Sequence, residues 1–128
     1  MAYAEVSRTE FPLITVRFTG EAASDESFDQ YLAELKENYR KREAFILLFD
    51  ARKAALPKFI HQKRQAQWMK EHEALINQYC LGVAYVVAQP LIRGALRTIL
   101  KLQNSPLNSR VFGDLEKARS WCFEIQGT

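Results

Sequence analysis

Hydrophobic and polar positions along this chain fall into short blocks of two periods, and the blocks alternate. Leu13 to Phe18 has a period of two, with Leu13, Thr15 and Arg17 on one face and Ile14, Val16 and Phe18 on the other, as a strand requires. Tyr3 to Arg8 alternates more weakly and is expected to be an edge strand. Phe11-Pro12 separates the two, because proline cannot donate a ladder hydrogen bond. With Gly20 closing the second run, the pair predicts an antiparallel hairpin. Ser24-Asp25-Glu26-Ser27 then reads as a helix start, with Ser24 as cap and acids at the positive end of the helix dipole. Phe28, Tyr31, Leu32, Leu35 and Tyr39 recur at helical spacing, and Arg40-Lys41-Arg42 follow in the last turn, where cations are favoured.

Ala44 to Phe49 is a continuous apolar run ended by Asp50, the pattern of a strand covered on both faces. Ala51 to Pro57 reads as a loop, and Pro57 leads into a single long helix reaching about Cys80. Its inner stripe is expected to be Trp68, Met69, His72, Leu75, Ile76 and Tyr79. Gly82 to Ala88 is a second buried strand. Pro90 opens a helix in which Leu91, Ala95, Ile99 and Leu102 stack. Asn104 to Asn108 reads as a turn, Ser109 to Gly113 as a short strand, and Asp114 as the cap of a last helix with Leu115, Ala118, Trp121, Cys122 and Ile125. Strands alternating with helices predict a single-domain α/β fold over residues 1–128. Its sheet is mixed and mostly parallel, with an N-terminal antiparallel hairpin and about four helices. Loops after the parallel strands then gather at one edge, where such sheets usually bind ligands.

Composition narrows the function classes. At 128 residues with 48% apolar side chains, the chain can bury a core without disulfides or metals. No apolar run approaches the ~20 residues of a membrane span, so no membrane insertion is expected. Met1-Ala2-Tyr3-Ala4-Glu5 does not have the form of a secretory leader, and the expected location is the cytoplasm. Cys80 and Cys122 belong to no paired motif and read as reduced core residues. The net charge of +3 is unevenly spread. Met1 to Asp50 has six basic and ten acidic residues, whereas Ala51 to Lys101 has nine basic and two acidic ones. A basic middle third suggests an anionic partner or self-association with the acidic N-terminal half.

Several segments together resemble the STAS domain family, in its SpoIIAA-like branch (also described as STAS/SEC14-like). They are the strand ending at Gly20, the apolar strand ending in Asp50, Arg64-Gln65-Ala66-Gln67-Trp68, Gly82-Val83-Ala84-Tyr85-Val86-Val87 and Leu91-Ile92-Arg93-Gly94-Ala95-Leu96. The likeness runs from Phe11 to Trp121. It implies a compact α/β domain that binds proteins or small ligands, often in bacterial regulation. In the family's anti-sigma-factor antagonists, a serine starting the helix after the central strand is phosphorylated to switch partner binding. Here Asp50 is followed by Ala51, Arg52, Lys53, Ala54 and Ala55, and no Ser or Thr occurs before Thr98. The switch is therefore not carried over.

No constellation points to catalysis, a metal or a cofactor. Asp50 lacks the second carboxylate that a Mg²⁺-assisted phosphoacceptor needs, and reads as a cap or as a partner for Arg52 or Arg93. His61 and His72 are too far apart to share an ion on one helix face. Trp68 and His72 share a face, so a partly buried, hydrogen-bonded histidine is expected there. Gly94 sits inside a helical pattern, where it is expected to allow close packing. The remaining candidate is a basic edge for an anion or partner: Asp50, Arg52, Lys53 and Lys58 after one strand, Arg93 and Arg97 after the next. The middle helix carries few aromatics beyond its inner stripe, which argues against nucleic acid. The leading expectation is a non-catalytic binding or regulatory module for a protein partner or for itself. The alternative is a small carrier of a lipid-like or anionic ligand, marked by an apolar pocket with a polar mouth. An enzyme ranks last.

Overall fold

Five strands stand side by side in chain order, so each crossover places the next strand beside the last. The structure is a computed structural model and describes residues 2–103 and 108–127. The strands are β1 (Ala4–Glu10), β2 (Leu13–Phe18), β3 (Phe45–Asp50), β4 (Cys80–Val86) and β5 (Ser109–Phe112). The helices are α1 (Asp25–Glu37), α2 (Phe59–Glu71), α3 (Glu73–Tyr79), α4 (Pro90–Gln103) and α5 (Leu115–Gln126). β1 runs antiparallel to β2, and the pairs β2–β3, β3–β4 and β4–β5 are parallel. The fold is thus the single-domain α/β arrangement expected from the blocks. The turn expected at Asn104 to Asn108 lies, apart from Asn108, outside the described residues.

The period of two decides which side chain meets which helix. Phe45, Leu47 and Phe49 of β3 face one core with Val83 and Tyr85 of β4, beneath α1, α2 and α4. Ile46 and Leu48 point the other way, with Leu13, Ala84 and Val86, against Ala118 and Cys122 of α5. A sheet covered on both faces needs continuous apolar runs in its central strands, which is what β3 and β4 carry. α5 sits close to β4 because Gly82 has no side chain. A Cβ there would stand 3.1 Å from Ile125 and 3.3 Å from Trp121.

α1 begins as its sequence dictates. The Ser24 hydroxyl accepts from the Ser27 amide at 3.0 Å, and Ser27 returns the bond to the Ser24 amide at 2.9 Å. The single long helix expected up to Cys80 is in fact two. His72 leaves helical geometry at φ −108 and ψ 18, between α2 and α3. Its ring stacks on Trp68 at 4.4 Å, and its Nδ1 donates to the Trp68 carbonyl at 2.8 Å. A ring that competes for a main-chain acceptor bends the helix at that point. Among the described residues, no helix is long and apolar enough to cross a membrane.

A candidate ligand pocket

The core beneath α1, α2 and α4 does not close. A partly enclosed cavity of about 100 Å³ lies between these helices and the sheet. Its floor is Leu47, Phe49, Val83 and Tyr85, and its helical walls include Tyr31, Met69 and Ile99. Two features of the sequence keep it open. Rigid rings stack in slabs, Phe18 on Phe49 at 6.2 Å and Phe49 on Tyr85 at 5.4 Å, and planes do not fill an irregular space. Small side chains, Ala51, Ala54, Ala55 and Ala95, stand where larger ones would fill it.

His61 is the one fully buried polar side chain in this wall, with no exposed surface. Its ring lies flat against Phe28, 4.6 Å between centroids and 7° between planes. Nε2 is 2.8 Å from Oδ1 of Asp25, an exposed residue in the first turn of α1. A carboxylate only accepts, so this bond puts the ring proton on Nε2 in the neutral imidazole. Nδ1 is buried and has no hydrogen-bond partner. The same bond holds the Asp25 carboxyl below its usual range, with help from the nearby Arg64 and Lys58 charges. A second tie between the helices joins Arg64 of α2 to Asp29 of α1.

Burial keeps the tyrosine hydroxyls and the Cys80 thiol around the cavity in their neutral forms. Burial raises the Tyr3 hydroxyl to about 12 and pushes those of Tyr31, Tyr39 and Tyr85 up as well. Burial also lifts the thiols of Cys80, to about 12, and Cys122, to about 11. Thiols shifted in this direction are poor nucleophiles at neutral pH. The two cysteines are free and belong to the cores on opposite faces of the sheet.

The basic edge is divided by the sheet. Asp50, 5% exposed, follows Phe49 in β3 and so faces the α5 side, away from the pocket. Arg52 grips it with two bonds of 2.8 Å, so that these two charges satisfy each other. The pair lowers the Asp50 carboxyl, mainly through the Arg52 hydrogen bond. Lys53 and Lys58 are exposed in the loop after β3. Arg93 and Arg97 are exposed on α4, over the pocket side, and Arg93 donates to the Val87 carbonyl at 3.3 Å. Lys53 also marks a close approach between loops at this edge. Its carbonyl would lie 3.2 Å from a Cβ at Gly20, whose φ of 99° suits glycine. The same segments carry exposed apolar side chains: Leu56 in the loop before α2, Phe59 and Ile60 at the start of α2, and Leu91 at the start of α4.

The sequence pattern pointed to His72 and the cations, and His61 was weighed only as a metal ligand beside His72, not as a core residue. The signal was present, since His61, Gln65 and Met69 follow one another at four-residue steps and are all buried. Comparison with family models, curated proteins and solved structures finds no match to this chain. Its fold is that of an α/β domain with a partly enclosed apolar cavity on one face of the sheet.

Proposed function

We propose that this protein is a non-catalytic binding domain whose working site is the apolar pocket, and that it holds a small, largely apolar ligand there. The observation that carries this reading is the partly enclosed, apolar-lined cavity of about 100 Å³. Empty apolar volume destabilises a protein by ~24 cal/mol per Å³, so a cavity of this size costs about 2 kcal/mol until something fills it. An apolar cavity of ~150 Å³ accepts benzene. This cavity is smaller but only partly enclosed, so one small ring or a short aliphatic chain would fill it and extend into its mouth. Neutral tyrosines and thiols suit binding better than acid–base or nucleophilic chemistry.

This is the carrier alternative of the STAS/SEC14-like resemblance, with a smaller cargo than a two-chain lipid. A regulatory role and a cytoplasmic location belong to the same proposal and rest on that resemblance and on the two free, buried cysteines. Docking of a protein partner is favoured by a separate observation. Leu56, Phe59, Ile60 and Leu91 are between 54% and 72% exposed beside Lys53, Lys58 and Arg93.

Native mass spectrometry of protein purified directly from its source cells tests the carrier reading. A small-molecule adduct is expected on the wild type and is expected to be lost in Ala54→Leu, which fills the pocket. An adduct that survives in Ala54→Leu places the ligand elsewhere. A wild type that carries only a protein partner favours docking at the edge.

A further inference from the structure

We propose that His61 Nδ1 is the pocket's hydrogen-bond acceptor. On this reading it selects neutral ligands bearing a hydroxyl donor, of the phenol or short-alcohol class, over plain hydrocarbons and over carboxylates. This rests on the pocket being the binding site. The two ring nitrogens of an imidazole diverge, and Nε2 is committed outward to Asp25 at 2.8 Å. Nδ1 is buried without a partner, and His61 is one of the residues that line the cavity. A buried nitrogen lone pair left unmatched is costly, and native structures rarely leave one without a use. A hydroxyl group on a small ring would supply the missing donor while the ring fills the apolar space.

The charge pattern sets the selectivity against anions. Asp25 puts a carboxylate on the far side of the same imidazole, so a second carboxylate at Nδ1 would meet like charge across one ring. The cations that act on Asp25 are outside the cavity lining: Arg64 is half-exposed and Lys58 exposed. Nothing cationic is among the residues lining the cavity, and an anion brought there would lose its hydration without an ion partner. The stack on Phe28 and the bond to Asp25 hold the His61 ring in one orientation, so the acceptor is fixed before the ligand arrives.

The test is calorimetric titration of the intact protein with phenol, toluene and benzoate, in wild type and in His61→Phe, which keeps a flat ring against Phe28. One hydrogen bond at a buried site corresponds to roughly a tenfold preference. The wild type is expected to bind phenol about tenfold more tightly than toluene, and benzoate more weakly than either. His61→Phe is expected to bind phenol and toluene alike. Toluene binding without a phenol preference, a preference that persists in His61→Phe, or benzoate binding tightest would each overturn the assignment of Nδ1. Binding of none of the three would overturn the pocket reading itself. ¹⁵N spectroscopy of the wild-type imidazole gives a readout that does not depend on the variant folding. Phenol is expected to move the Nδ1 resonance and toluene to leave it in place, whereas an Nδ1 resonance indifferent to phenol contradicts the proposal.

Discussion

Asp25 Oδ1 lies 2.8 Å from Nε2 of His61, which joins a carboxylate 83% exposed to a ring with no exposure at all. The bond links the first turn of α1 to the first turn of α2 and leaves Nδ1 as the unpartnered ring nitrogen. It also sets a pH dependence. The Asp25 carboxyl is held below its ordinary value of 3.8, chiefly by His61. A group lowered on folding contributes stability above its unfolded value and loses it as pH falls through the folded one. The difference in Tm between wild type and Asp25→Ala is expected to be present from pH 5 to 7 and to shrink below pH 4. A difference that grows on acidification would contradict the assigned pair.

Arg52 is expected to matter for stability more than its exposed position suggests. Removing the side chain in Arg52→Ala leaves the carboxylate of Asp50, 5% exposed, with only the main-chain amide of residue 52 donating to it, at 3.3 Å. Breaking a fully buried pair costs ~3–5 kcal/mol. Arg52 is 47% exposed, which lets water screen the interaction. A loss of about 1 kcal/mol is expected in urea unfolding at pH 7. The lowered Asp50 carboxyl gives the same acid-limb sign as Asp25, so the deficit narrows as pH falls through it. Asp50→Asn, which removes the charge, is expected to restore part of the loss in the Arg52→Ala background.

Two glycines should respond in opposite directions to alanine. Gly94, exposed within α4, has nothing within 4 Å of a Cβ, so the close packing expected from the sequence is absent. Gly94→Ala is expected to stabilise by about 0.5–1 kcal/mol through helix propensity alone. Gly82→Ala puts a methyl 3.1 Å from Ile125 and 3.3 Å from Trp121, and the overpacking is expected to destabilise by ~1–3 kcal/mol. Thermal unfolding of the two variants checks both signs.

Filling the pocket should separate binding from folding. Ala54, 9% exposed, lines the cavity, and leucine there replaces empty volume with apolar atoms. Ala54→Leu is expected to keep or raise Tm while abolishing toluene binding. A variant that still binds toluene would move the site elsewhere.

What the sequence made legible follows from the range of the physics involved. β2 was visible because its alternation is a local property, and β3 and β4 because a strand buried on both faces needs an unbroken apolar run. The cap at Ser24 is equally local. The break at His72 was not visible, since it depends on one ring bonding one carbonyl within an otherwise continuous helical pattern. His61 was hidden by its neighbours. Gln62, Lys63 and Arg64 made the start of α2 look polar, although the four-residue steps to Gln65 and Met69 were there to follow. The basic edge grouped Asp50 with Arg93 because both follow adjacent strands. Strand alternation turns Asp50 toward α5, while α4 carries Arg93 over the other face, and that division appears only once each helix is assigned to a side. The cavity itself is a difference between side-chain volumes and the space enclosed, which no pattern along the chain displays.

The most direct test of the central claim is a toluene titration of the wild-type protein followed by ¹H–¹³C methyl and aromatic NMR. Saturable shifts confined to Tyr31, Met69, Tyr85, Ile92 and Ile99, all lining the cavity, are the expected result. Shifts confined instead to Leu56, Phe59, Ile60 and Leu91 at the exposed edge, or no saturable shift at all, would contradict it.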